Sequence, residues 1–320
     1  MTWRARLRGL LAVLLAAAVA AGCGGRTGDR GPAAGQQPAT TAAATTSTTA
    51  ATVATAATAR GPRGDDHRLS LRVDGERRTF LLHTPPGWRR SRRLPLVIAL
   101  HMMRPTGDGK VMQQLTGLDA TADRERFLVA YPDGLDGQWN AILCCNQTDD
   151  VGFIRRMIDL LRQRWRVDPD RVYATGASNG AAMSYRLAAA LPGVLAAIGP
   201  VSGAVPDPDV PEGFPRSPVS LVAFHGRHDT IFDAMDEGVA AWRRHVGCLP
   251  PLRAAHGTSG TVSRSIASCR DGTDVLVYEL AEMDHAWPGA TGEDPLAAPD
   301  VPISATELLW EFFQRHPRRR

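Results

Sequence analysis

Val172-Tyr173-Ala174-Thr175-Gly176-Ala177-Ser178-Asn179-Gly180-Ala181-Ala182-Met183 is the stretch whose reading decides the fold. Val172-Tyr173-Ala174 reads as a short buried strand. Ala181 to Ala190, with Met183, Tyr185 and Leu187, reads as a helix. Between them Gly176 to Gly180 matches G-x-S-x-G, a sharp strand-to-helix turn that exposes a serine hydroxyl at the edge of a sheet. The two glycines stand where any side chain would crowd that turn. Five residues match readily by chance in a chain with 31 glycines, so the strand before and the helix after are what give the motif weight.

The alternation of strand and helix continues on both sides. Leu94 to Leu100 and Phe127 to Tyr131 are continuous apolar runs, as expected of strands buried on both faces. Leu195 to Val201, Val219 to Phe224 and Val275 to Leu280 are further strands. Asp149 to Trp165 sets Ile154, Met157, Ile158, Leu161 and Trp165 on one helical face, with Asp149 and Asp150 where negative charge suits the helix dipole. Met235 to Val246 is another helix, and a last one opens on a Ser304/Glu307 capping box with Ile303 and Leu308 as a hydrophobic staple. His67 to Val73 and Arg77 to His83 flank Asp74-Gly75 as a hairpin. Together these predict an α/β fold, a mostly parallel central sheet with helices on both faces and ligands held beyond the carboxyl ends of the strands. Val205 to Pro218, Pro-rich and without period, is expected as a surface loop or as a flap over that site.

A serine hydroxyl needs a base to take its proton and a carboxylate to orient the base. The strand, turn and helix around Ser178 resemble the nucleophile elbow of α/β-hydrolases, where the chain order is nucleophile, acid, histidine. Asp229, in His225-Gly226-Arg227-His228-Asp229 just past the strand Val219 to Phe224, fits the acid, with Asp233 as its rival. Of nine histidines only His256, His285 and His316 come later. His256 falls in a polar stretch with no strand before it and His316 in the fraying end of the last helix, which leaves His285 as the base. The oxyanion hole needs two backbone N–H groups. Asn179 supplies one, and the turn after Leu100 supplies the other through Met102 or Met103. Trp139 and Trp287 are candidates for the pocket wall, with core packing as the alternative.

The ends of the chain carry different signals. Arg4, Arg6 and Arg8 precede an apolar run, Gly9 to Ala20, that is too short to span a bilayer. Ala20-Ala21-Gly22-Cys23 resembles a bacterial lipobox, so residues 1–22 are expected as a lipoprotein signal peptide and Cys23 as the lipidated residue. Residues 23–65, with Thr and Ala dominating from Thr40 to Ala59, cannot bury enough apolar surface to fold and are expected as a tether. Residues 66–316 are the catalytic domain and 317–320 a frayed basic tail. Without Arg4, Arg6 and Arg8 the formal net charge of +4 falls near zero, and nothing suggests nucleic-acid binding. An exported chain permits disulfides, and Cys248 with Cys269 is the expected pair, pinning a loop ahead of His285. Cys144 and Cys145 are left as a strained vicinal bridge or as thiols. No His or Cys stands at a zinc-ligand spacing around them.

A wider resemblance rests on several segments. Pro95-Leu96-Val97-Ile98-Ala99-Leu100-His101, Tyr131-Pro132-Asp133-Gly134 with Trp139-Asn140 and Cys144-Cys145, Val167-Asp168-Pro169-Asp170-Arg171-Val172-Tyr173 leading into the serine motif, and His285-Ala286-Trp287-Pro288-Gly289 resemble the bacterial esterases that include polyhydroxybutyrate depolymerases and feruloyl esterases. The resemblance spans roughly Leu81 to Phe313. It implies the α/β-hydrolase fold, a secreted serine esterase and no metal or cofactor. Two positions depart from the family pattern. Met102 replaces the Gly after the oxyanion-strand histidine, and Glu282-Met283-Asp284 replaces a Gly-rich approach to the catalytic one. The expectation is a monomeric serine esterase, lipid-anchored at the cell surface or secreted. It would cleave feruloyl, acetyl-polysaccharide or hydroxyalkanoate esters through an acyl-enzyme. The alternatives are an inactive surface lipoprotein that binds a polymer or glycan, and an acyltransferase on the same fold.

Overall fold

A computed structural model describes residues 63–141, 148–257 and 260–318. The expected signal peptide, Cys23, the tether up to residue 62 and the Cys144-Cys145 pair lie outside these residues. The end of the expected tether belongs to the fold. Gly64 N–H is held by Asp123 Oδ1 at 3.1 Å, and Asp65 opens the first strand. Among the described residues no helix is long and apolar enough to cross a membrane.

The hairpin forms as expected, β1 (Asp65–Val73) pairing with β2 (Glu76–Thr84) about Asp74 and Gly75, both at positive φ. Next come β3 (Leu94–Leu100), α1 (Lys110–Thr116), α2 (Leu118–Glu125), β4 (Leu128–Pro132), α3 (Asp150–Arg164), β5 (Val167–Ala177), α4 (Asn179–Ala190), β6 (Ala197–Val201), β7 (Ser220–Gly226) and α5 (Phe232–His245). β8 (Leu252–Ala255), β9 (Val262–Ser268), β10 (Asp274–Leu280) and α6 (Ala305–Arg315) complete the sheet and its cover. The sheet order is β1-β2-β4-β3-β5-β6-β7-β10-β9-β8, parallel from β4 to β10 and antiparallel at both flanks. This is the α/β-hydrolase fold. The chain leaves β3 for β4 on one side and returns to β5 on the other, so a crevice opens between the carboxyl ends of β3 and β5, where Leu100 pairs with Gly176.

Alternation along β5 divides the core. Val172 and Ala174 join the cluster holding Ile154 and Leu161 of α3, Met183 of α4 and Trp242 of α5. Tyr173 points to the opposite face, with Met112 of α1, Leu118 of α2 and Leu309 and Phe313 of α6.

Several expectations are corrected. His256 does follow a strand, because β8 ends at Ala255. Every β8 residue is exposed, so no apolar alternation marks it and only its pairing with β9 makes it a strand. The Cys248–Cys269 bridge forms as expected, and the stretch it closes ahead of His285 is the β8–β9 hairpin. His316 is not frayed, since its ring bonds Phe312 O at 2.7 Å and Asp274 Oδ2 at 3.0 Å. Arg318 is likewise docked on Asp170 at 2.6 Å. Ser304 caps α6 through Glu307 N–H, but the Glu307 carboxylate turns to Thr121 and Arg124 instead of closing the box. The 205–218 segment is a surface loop, as expected, with residues 209–212 exposed and its ends anchored by Val205 against Gly238 and the Phe214 ring against His245 at 4.8 Å.

Candidate active site

Ser178 stands between β5 and α4 at φ 54° and ψ −116°, a conformation that costs a non-glycine residue of order 1–3 kcal/mol and needs surrounding structure to hold it. Its N–H donates to Val201 O at 3.1 Å, fixing the turn to the end of β6. A methyl group at Gly180 would strike the carbonyl oxygens of Leu100 and His101, and one at Gly176 would strike Gly180. The two glycines of the motif therefore let the elbow close onto β3.

Asp229 and His285 meet as expected. Asp229 lies in the turn after β7, its side chain wholly buried, with Oδ1 accepting from Ile231 N–H at 3.0 Å. Its Oδ2 accepts a hydrogen bond from His285 Nδ1 at 2.7 Å. That bond selects the tautomer whose Nε2 carries a lone pair, and the His285 ring is one-third exposed. The rival Asp233 is exposed in the first turn of α5 and bonds neither His285 nor Ser178. Among the hydrogen bonds of the described residues none joins Ser178 Oγ to His285. His225, at the end of β7, is wholly buried with neither ring nitrogen bonded. Burial pushes it down to about 4, with the nearby Asp229 opposing and Arg243 adding, so it stays neutral.

One residue missing from the sequence reading connects the two halves of the site. Ser202 follows β6 at φ 48° and is buried. Its hydroxyl donates to Ala286 O at 2.9 Å and accepts from Ala286 N–H at 3.2 Å, so it grips the residue after His285 from both sides. Val201, its neighbour, holds Ser178 N–H. The signal was a small polar residue at the carboxyl end of a buried strand, where sites of this architecture lie.

The oxyanion segment is tied by a chain of bonds. The Asn179 amide clasps the Trp139 backbone, Oδ1 accepting from Trp139 N–H at 2.7 Å and Nδ2 donating to Trp139 O at 3.2 Å. The Trp139 indole N–H donates to His101 O at 2.9 Å. His101 Nδ1 donates to Met102 O at 2.7 Å, and its Nε2 accepts from Gly134 N–H at 2.9 Å. Burial lowers the pKa of His101, so the neutral tautomer these bonds require is the favoured one. Met102 is 3% exposed, packs in the core and is not among the positive-φ residues, so its backbone does not demand glycine. Met103 is 55% exposed.

The tryptophans are corrected. Trp139 and Trp287 are both 0% exposed, and the Trp287 indole N–H is spent on Thr306 Oγ1 at 3.1 Å. Neither has surface left for a pocket wall. Both are core residues that brace the loops of the site.

Comparison with known proteins follows the same lines. Residues 78–209 match the family model described as esterase PHB depolymerase. A protein of Nocardia uniformis subsp. tsuyamanensis named as an esterase, NocK, is 30% identical over 254 residues, 68% of this chain and 73% of that one. The chain belongs to the esterase PHB depolymerase family. Feruloyl esterase C of Emericella nidulans is 28% identical over 246 residues, 74% of this family member and 83% of that enzyme. The solved acetyl xylan esterase from Aspergillus awamori superposes with a TM-score of 0.60, covering 78% of this chain and 99% of that one. At 19% identity it speaks for the fold alone. The protein is a carboxylic-ester hydrolase of the α/β-hydrolase fold.

Proposed function

We propose that Ser178 is the nucleophile of a serine esterase working through an acyl-enzyme. The observation that carries this is the buried Asp229–His285 bond at 2.7 Å, beyond the same sheet edge as a serine held at a strained elbow. His285 Nε2 takes the Ser178 proton as the hydroxyl attacks the ester carbonyl. It then returns that proton to the leaving alcohol, and water repeats the cycle to free the acid. Asp229 stays ionised and holds the tautomer.

Two backbone donors would receive the oxyanion. One is Asn179 N–H. For the other, the Met102 carbonyl bonded to His101 Nδ1 favours Met103, because in a planar trans peptide the N–H of Met103 points opposite to that carbonyl. Ser202 acts through His285 as a positioning residue. The names of the relatives support feruloyl or acetyl esters borne on polysaccharide as substrates, with hydroxyalkanoate polyesters as the other class. The lipobox-like segment and the disulfide support an exported protein anchored at Cys23.

The test is hydrolysis of a short-chain nitrophenyl ester alongside labelling by a fluorophosphonate. Ser178→Ala is expected to lower turnover on the order of 10⁵-fold and to abolish labelling. A wild-type protein that neither turns over nor labels would overturn the reading. Acyl transfer to an added alcohol that outruns hydrolysis would reassign it as a transferase.

A further inference from the structure

Trp165 precedes β5 and Ser178 follows it, so the two lie at opposite ends of one strand, whose paired length from Val167 to Gly176 matches Leu94 to Leu100 of β3, about 20 Å. Around Trp165 the hairpin, the segment 88–93 and the end of α3 enclose a groove of about 550 Å³. Its floor is apolar. Leu71 and Leu160 line it with the indoles of Trp88 and Trp165, whose centroids lie 4.8 Å apart at a 40° tilt. Arg90 and Arg164 stand on its walls.

Positive charge is concentrated around this groove. Arg89, Arg90, Arg92 and Arg93 crowd one exposed segment, and Arg164 and Arg166 flank Trp165. None of the six forms an ion pair with a carboxylate among the described residues. The carboxylates of this region are engaged elsewhere, Asp159 with Arg162 and Asp168 with Arg171. Away from the groove some arginines are paired, as Arg68 is with Asp133, Arg104 with Asp294, Arg124 with Glu307 and Arg227 with Glu279, and others, such as Arg72, Arg126, Arg216 and Arg270, are scattered singly without a carboxylate among the described residues. Six guanidinium groups so placed repel one another, and folding gains nothing from the arrangement.

We propose that this groove binds an acidic polysaccharide strand, a chain of uronic acid units, independently of the catalytic site. A pyranose ring offers a flat face of C–H groups to an indole, and its carboxylate fits the fork of a guanidinium. A strand fills a groove and meets charges on both of its walls. A flat lipid surface does not enter a recess, and none of the large exposed apolar residues, Met103, Val210, Leu249 and Leu252, lies on this patch. The Cys248–Cys269 bridge indicates an oxidising compartment, which separates the protein from nucleic acid as a partner.

The experiment is affinity electrophoresis of the full chain in gels containing polygalacturonate, with neutral arabinoxylan, dextran sulfate, phosphatidylglycerol vesicles and an oligonucleotide as comparison ligands. Retardation by polygalacturonate is expected, weakened about tenfold by Trp88→Ala and at least as much by Arg90→Glu with Arg164→Glu. Ser178→Ala should bind like the wild type, so loss of catalysis and loss of this site are told apart. The arginine substitutions lie on exposed side chains and keep the test valid should Trp88→Ala unfold. Equal retardation by arabinoxylan overturns the proposal. Dextran sulfate binding as tightly, with folded Trp88→Ala unaffected, reduces it to ion exchange and also overturns it. Preference for vesicles or the oligonucleotide assigns the face to another partner and overturns it as well.

Discussion

At the carboxyl ends of the parallel strands polar groups find one another, while at the amino ends a run of arginines does not. Asp229 meets His285, Ser202 meets Ala286, Asn179 meets Trp139 and His101 meets Met102, each within 3.2 Å for at least one bond. Around Trp165, at the other end of β5, guanidinium groups cluster without carboxylates. Both ends are rich in polar residues, so composition does not distinguish them. The difference is that at the carboxyl ends most polar groups, His225 excepted, bond within the chain, whereas the six arginines meet no carboxylate among the described residues. A site that must hold reacting groups in fixed geometry meets its own hydrogen-bonding needs, since a displacement of about 1 Å can cost on the order of 100-fold in rate. A surface that takes up a charged partner keeps its charges available.

Substitutions at each end can break this contrast. Asp229→Asn should have the largest effect, lowering turnover about 10⁴-fold with little change in KM, because the amide favours the wrong imidazole tautomer. A loss below about tenfold would mean that the buried carboxylate does not orient the base. Ser202→Ala should lower kcat by about 10- to 100-fold while KM and fluorophosphonate access to the folded protein are largely retained. Its pH–rate profile should shift, since the loop carrying His285 loses its clasp. An unchanged profile with only a lower melting temperature would make Ser202 structural.

At the amino end His83 gives the smallest effect. Burial opposes its charge, but Asp119, Asp66 and Asp123 outweigh it and raise its pKa. Its ring bonds Asp66 of β1 at 2.8 Å and Asp123 of α2 at 2.9 Å. A raised folded-state pKa stabilises fully below the unfolded value and is lost as pH rises through the folded one. The stability gap between wild type and His83→Gln should therefore shrink in urea titrations as pH rises above about 6.5, and remain below about 1 kcal/mol because Asp66 is half exposed. A gap that grows with pH would reverse the assignment.

Much of this was legible because apolar runs and glycines act locally. Leu94 to Leu100 is a strand with the expected ends, and α3 falls within one residue of its expected bounds. The pairing of Asp229 with His285 was legible because chain order and strand ends leave few positions for two such partners. Asp149 and Asp150 show where local reading stops. Both suit a helix start, and Asp149 does cap α3 by accepting from Gly152 N–H. Asp150 is instead buried, paired with Arg78 at 2.7 Å and accepting from Asn140 N–H at 2.7 Å. Its partners lie 72 and 10 residues away, and no local pattern announces them. Trp139 and Trp287 misled for a similar reason, since an indole beside a catalytic motif reads equally well as pocket wall or as core.

The sequence by itself marked strands β1 to β7 and β10, helices α3 to α6 and the turn at Ser178, and left Asp229 and His285 as the candidates for an acid and a base. Each depends on residue type, spacing and the steric demands of a few neighbouring atoms. Only the tertiary structure decided that Met102 packs inward, that Ser202 holds the loop of His285 and that the arginines around Trp165 meet no carboxylate among the described residues. Those facts depend on which distant segments the sheet brings together, and hydrogen bonding and ion pairing act only over that final separation.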